Sequence, residues 1–164
     1  MADYSEFFLR LRQCSAGERA ILRRNCGKML KDADGKAVIT FYRCLPFAVP
    51  TWHEDRWFAV GCFSCLWNDE QVGVPIEEIF GKMKDDSGSL EHRLAALLDM
   101  SWDADGFLLG KLCRMIKMSY AKGYVVDCEK LLGDLILWNM DTQRVQGKWA
   151  RAMYMKNVND KQEV

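Results

Sequence analysis

The stretch FLLGKLCRMIKMSYAKGYVV, residues 107–126, decides how this chain is read, because it carries four basic side chains and no acidic one on an otherwise apolar background. At 100° per residue, Lys111, Arg114, Lys117 and Lys122 fall within an arc of about 140° of a helix. Leu108, Leu109, Leu112, Met115 and Ile116 fill much of the rest. One face is built to be buried and the other is positive. Gly123 supplies a natural stop and Asp103 a candidate cap.

Working outward, the same helical grammar recurs. Phe7, Phe8 and Leu11 share a face ahead of Ser15-Ala-Gly-Glu18, a capping box that opens a second helix through Arg19 to Cys26 with Gly27 beyond it. Asp34-Gly35 marks a turn, and Ile39 to Leu45 a short helix ended by Pro46. Thr51-Trp-His-Glu54 repeats the capping-box pattern before Arg56–Trp67, a run rich in aromatics and cysteine that reads as a buried helix. Val74-Pro75-Ile76 opens an acidic helix to about Lys84. Asp85-Asp86-Ser-Gly-Ser89 is the best linker in the chain, with Ser89 as cap of a helix carrying Leu94, Leu97 and Leu98. Asp127 caps a helix holding Leu131, Leu132, Leu135, Ile136 and Trp138. Asp141 or Thr142 starts the last one, where Val145, Trp149 and Ala152/Met153 form the apolar face and Arg144, Lys148 and Arg151 a basic stripe. No alternating strand and no internal repeat is found. The fold class is therefore all-α, about eight helices in two packed lobes, with residues 1–88 as an N-terminal helical lobe, 89–156 as a C-terminal helical bundle and 157–164 as a polar, frayed tail.

Composition excludes several classes of function. At 164 residues and 49% hydrophobic, the chain is long enough for a real core without staples. No apolar run approaches the roughly 18 residues of a membrane span, and the N-terminus has acids where a signal peptide is basic. A soluble, cytoplasmic protein without membrane contact is expected. Seven cysteines without framework spacing fit a reducing compartment. Lys plus Arg equals Asp plus Glu, 23 each, so no bulk positive charge argues for nucleic acid. The distribution does. Residues 10–31 hold seven basic side chains against Glu18 alone, residues 69–105 are dominated by acids, and residues 144–156 are basic without an acid. A polarised surface with one side suited to an anionic partner follows.

Other chemistry is sparse. Cys62-Phe-Ser-Cys65 is the only CxxC, and a structural zinc would need a second ligand pair that the sequence lacks. Buried packing accounts for it, with a small helical metal or redox protein built on Cys62 and Cys65 kept as an alternative. His53 and His92 stand apart from any nucleophile or orienting acid, and no phosphate-binding glycine loop is present. Neither a catalytic site, a cofactor nor a small-molecule substrate is expected. The six tryptophans lie on apolar faces, which assigns them to the core rather than to base stacking. A helical DNA-binding regulator is a further alternative, although no clear helix-turn-helix setting supports base reading.

Gly17-Glu-Arg-Ala-Ile-Leu-Arg-Arg24, Phe41-Tyr-Arg43 followed by Pro46, Leu112-Cys-Arg-Met-Ile-Lys117, Asp127-Cys-Glu-Lys-Leu-Leu-Gly-Asp-Leu135, Trp138 and Lys148-Trp-Ala-Arg-Ala-Met-Tyr154 occur in that order along the chain. In order and spacing they resemble the CasB-type small subunit of type I-E CRISPR Cascade complexes. The resemblance implies a non-enzymatic, two-lobed helical protein, present with a second copy of itself beside other Cascade subunits. Such a protein contacts the backbones of guide RNA and target DNA while base pairing supplies specificity. On matching positions it assigns those contacts to Arg23, Arg24, Arg43, Arg114 and Lys117. Charge geometry adds Lys111, Lys122, Arg144, Lys148 and Arg151. With a net charge of zero, the acidic segment 69–105 is left to face protein neighbours or solvent.

Overall fold

The computed structural model describes residues 4–68 and 72–155. The expected tail at 157–164, and the charges of Asp69, Glu70 and Lys156, lie outside the described residues. Nine α-helices occur among those described: α1 (Tyr4–Arg12), α2 (Ala16–Arg24), α3 (Gly35–Cys44), α4 (Glu54–Ser64), α5 (Ile76–Met83), α6 (Ser89–Leu98), α7 (Phe107–Ala121), α8 (Cys128–Ile136) and α9 (Arg144–Tyr154). Two short 3-10 turns, Leu30–Asp32 and Thr51–His53, complete the set. The all-α class holds. The sole extended pairing among the described residues is an isolated parallel bridge between Val74 and Val126, where a Cβ on Gly73 would lie 2.6 Å from the Asp127 backbone. None of the helices is long and apolar enough to cross a membrane, among the described residues.

α4 is the hub. Every residue from Arg56 to Phe63 is buried, so this helix has no solvent face and must be surrounded. It packs against α2, α8, α1 and α7. Gly61 lets α1 approach closely, since a Cβ there would meet the Phe7 ring at 3.0 Å. Phe7 lies edge-on to Trp57 and Phe41, and Phe41 to Phe58, the arrangement favoured by aromatic quadrupoles. Arg56 is the one charge in this buried run. Its Nε donates to the Leu135 carbonyl at 2.8 Å and its Nη1 to the Trp52 carbonyl at 3.2 Å, while the guanidinium lies over the Trp102 ring. A buried cation satisfied this way couples α4 to the end of α8 instead of breaking the core.

Several local expectations are met. Ser15 and Glu18 form the reciprocal capping box of α2, Asp127 accepts from the Lys130 amide at the start of α8, and Gly123, at φ 87°, ends α7. Others are corrected. Thr51 and Glu54 form no box: residues 51–53 wind into a 3-10 turn, and Glu54 accepts the Tyr42 hydroxyl at 2.7 Å instead. Ser89 is the first residue of α6, not its cap, and the cap position belongs to Gly88. Likewise Gly106, not Asp103, caps α7. Asp103 instead accepts from the Asp105 amide within the preceding turn. α3 begins at Gly35, four residues early, because Asp34 sits in the N-cap position while its carboxylate takes Asn25 Nδ2. Gln143, at φ 49°, precedes α9, so that helix starts just after Asp141 and Thr142.

The core is continuous across residue 88: α5 packs on α9, α4 on α8, and the buried side chains form one apolar cluster. We propose that 85–89 is a mechanical boundary between lobes that share this core. The segment is largely exposed, and its hydrogen bonds among the described residues include the local ones from Ser87 to Asp85 and from the Ser89 amide to Ser87. Brief digestion with a broad-specificity protease should cut first between residues 84 and 89, and the two pieces should elute together in gel filtration. A first cut elsewhere in the described chain, or fragments that separate without denaturant, would contradict this.

Candidate nucleic-acid interface

α2 ends in two exposed arginines, Arg23 and Arg24. Basic residues in a last turn complement the helix dipole wherever they occur, so their partners decide what else they do. The helix end is fixed by buried Asn25, which donates to the Ile21 carbonyl at 2.7 Å and to Asp34 at 3.2 Å. The chain then turns at Gly27 directly against α7, where a Cβ would come within 3.1 Å of Cys113 Sγ. This contact brings two basic stripes together. The charges of Lys117 and Arg23 both act on the Cys26 thiol, opposing the burial and neighbouring thiols that push it up to about 12. Those of Lys117 and Arg114 act on Cys113, which burial also raises.

Along α7, Lys111, Arg114 and Lys117 are exposed while Leu108, Leu109, Leu112, Met115 and Ile116 are buried. Lys122, at the C-cap, is exposed too and lies close enough to Asp85 to help the Ser87 hydroxyl and amide hold that carboxyl below its usual range. Among the described residues none of Arg23, Arg24, Lys111, Arg114, Lys117 or Lys122 has an ion-pair partner. Such exposed cations can meet an external anion without first breaking an ion pair among the described residues.

One residue joins this face that sequence reasoning passed over. Arg93, exposed on α6, places Nη1 3.7 Å from the sulfur of Met118 on α7. It was hidden by the surrounding acids, which dominate any regional charge count. Its helical position, off the Leu90–Leu94–Leu97 face, is the signal that exposes it.

Two of the expected contact residues are committed to the protein itself. Arg43 pairs with Glu18, and its Nη2 lies 3.6 Å from Cys14 Sγ. Glu18 is held below its usual range by the Ser15 amide and then by Arg43. Lys148 is tied more firmly. Its Nζ is 2.6 Å from Asp134 and 3.8 Å from Glu77, and Asp134 also accepts the Trp149 indole N–H at 2.9 Å. Asp134 and Glu77 are both buried, and desolvation raises the Glu77 carboxyl. Lys148 is therefore the cation that lets two carboxylates sit between α5, α8 and α9. Arg144 and Arg151 are exposed and without ion pairs among the described residues, on a helix that packs against α5.

Cys62 and Cys65 offer the metal or redox alternative little to work with. Cys62 and Cys65 are buried, and burial pushes both thiols up, Cys65 to about 11. Neither is open to direct attack by a solvent-borne oxidant or metal. No group of three or more His, Cys, Asp or Glu is placed to hold a metal among the described residues. Five tryptophans are buried, as their apolar settings imply. Trp52, 73% exposed, departs from that expectation.

Residues 18–154 match the family model of CRISPR-associated protein Cse2. A Cse2 protein of Thermus thermophilus is 23% identical over 130 residues, covering 74% of this chain and 73% of its own. The crystal structure of a Cse2-family protein from Thermus thermophilus superimposes with a TM-score of 0.77 at 24% identity, over 94% of this chain and 99% of that one. A chain of a CRISPR RNA-guided surveillance complex superimposes with a TM-score of 0.69 at 18% identity, over 92% and 90%.

The division between committed and free cations has a direct stability signature. Lys148→Ala removes a charge-assisted hydrogen bond to a buried carboxylate and should cost about 2 kcal/mol in urea unfolding. Arg144→Ala and Arg151→Ala should each stay within about 0.5 kcal/mol of the wild type. Equal, small effects at all three positions would mean that Lys148 is not the tie described.

Proposed function

The chain belongs to the CRISPR-associated Cse2 family, and from that premise we propose that it is a non-catalytic small subunit of a CRISPR Cascade surveillance ribonucleoprotein. Its partners are the other Cascade subunits, a second copy of itself, and the backbones of guide RNA and target DNA, including the displaced strand. The observation that carries this reading is the convergence of α2 and α7. Arg23, Arg114 and Lys117 bring charge to the place where Gly27 meets Cys113, Arg24 and Lys111 are exposed on the same two helices, Lys122 is exposed at the end of α7 and Arg93 meets α7 at Met118; among the described residues none of Arg23, Arg24, Lys111, Arg114 or Lys117 has an ion-pair partner.

Lys and Arg on rigid helices attract phosphate without reading bases, through release of condensed counterions. In a guide-dependent complex that suffices, since pairing reads the sequence. Zero net charge fits a subunit whose grip depends on being held in an assembly, because the long-range attraction of a basic protein is missing. Arg144 and Arg151 form a second, smaller contact surface on α9. Arg43 and Lys148 act indirectly, by holding α3 against the start of α2 and α9 against α5 and α8.

With about five phosphates neutralised, affinity of the assembled complex for target should fall roughly a few hundredfold between 50 and 200 mM salt. Replacing Arg23 and Arg24 by Glu, or Lys111 and Arg114 by Glu, should weaken target binding and flatten the salt slope by about one per lost contact, with circular dichroism unchanged. Unaltered affinity and slope in both double variants would overturn the assignment of this face.

A further inference from the structure

The sequence directs attention to Cys62 and Cys65, yet the hydrogen-bonded thiol pair among the described residues is a different one. Cys14 lies in the turn between α1 and α2, and Cys44 is the last residue of α3. Their sulfurs are 3.6 Å apart. Both are free thiols, Cys14 partly exposed and Cys44 buried, and together they line an open depression of about 360 Å³ with Arg10, Gln13, Glu18 and Arg43. Because each sits at a helix end, closing 3.6 Å to a bond moves a turn and a terminus and no helix interior.

We propose that Cys14 and Cys44 form a peroxide-reactive dithiol, with Cys14 as the sulfur that is oxidised first and Cys44 as the one that resolves it. The asymmetry of the site assigns the roles. Cys14 is reached from the depression and has the Arg43 guanidinium N–H at 3.6 Å, placed to hydrogen-bond an anionic sulfur. Cys44 is only 2% exposed. Burial, and then the Cys14 contact, push its thiol up to about 12, so it stays protonated until its neighbour has reacted.

The chemistry balances with hydrogen peroxide as oxidant. The Cys14 thiolate attacks one peroxide oxygen, the O–O bond breaks, and hydroxide leaves and takes up the proton the thiol gave up, becoming water. Cys14 is now a sulfenic acid. The Cys44 sulfur attacks the Cys14 sulfur, the S–O bond breaks, and the departing hydroxide takes the Cys44 proton as a second water. Two thiols and one peroxide give one disulfide and two waters, and any thiol reductant reverses the oxidation. The bond would fasten the turn that opens α2, next to the Ser15 cap, to the end of α3, where the Arg43–Glu18 pair already bridges the same two elements.

The test is brief exposure of the full native chain to hydrogen peroxide, quenching, alkylation in denaturant, and intact and non-reducing peptide mass spectrometry. The expected product has lost about 2 Da, links the Cys14 and Cys44 peptides, carries alkyl groups on every other cysteine and reverts with dithiothreitol. In Cys44→Ala the first step has no resolving partner, so Cys14 should accumulate as a sulfenic acid that dimedone labels. Cys14→Ser should abolish both products. Oxygen added at Cys14 in the wild type with Cys44 still alkylated, a cross-link between any other pair, or full alkylation of all cysteines would each overturn the proposal. The wild-type map decides the matter even if a variant fails to fold.

Discussion

A helix without a solvent face governs the architecture. Because α4 is buried from Arg56 to Phe63, each neighbouring helix has to turn an apolar side toward it and is left with a polar side outside. α7 answers with Leu108, Leu112 and Ile116, α8 with Leu131, Leu132 and Leu135, α1 with Phe7 and Leu11. The charges of α2 and α7 are on the surface for that reason alone. Their convergence needs one more feature, the close approach of Gly27, just beyond α2, to Cys113 on α7.

The cations then sort by what lies within reach. Where an acid is buried nearby the cation is used internally, as Lys148 is by Asp134 and Glu77; removing one member of such a set strands the others in low dielectric. Where no ion-pair partner lies within reach among the described residues, as for Arg23, Arg114 and Lys117, desolvation is not at issue and the charge stays at the surface. Exposed pairs contribute little to stability, so the free face costs the fold almost nothing. A chain of zero net charge can still present a locally positive surface, because its acids are spent on caps, on Arg43 and Lys148, and on segments elsewhere.

Much of this was legible in the residues. The capping box at Ser15 and Glu18, the Asp127 cap, the Gly123 stop and the apolar periodicity depend on neighbours within a turn or two, and sequence contains those. What it missed is tertiary. Glu54 abandons a local cap for the Tyr42 hydroxyl, which is twelve residues away. Ser89 and Asp103 lose their caps to glycines that adopt positive φ more readily. Lys148 looks like a stripe member until Asp134 comes into view, Arg43, taken as a contact from the resemblance, turns out to pair with Glu18, and Arg93 looks neutralised until α6 is laid on α7. The family resemblance carried the all-α class but could not separate Lys148, held by Asp134 and Glu77, from Lys111 and Lys117, which have no ion-pair partner among the described residues.

Lysine-reactivity footprinting of the assembled complex, with and without target DNA, addresses that separation most directly. Lys111 and Lys117 should lose reactivity when target binds, while Lys148, already occupied by Asp134 and Glu77, and exposed Lys130 on α8 should not change. Protection of Lys130 or Lys148 with Lys111 and Lys117 left reactive would contradict the account.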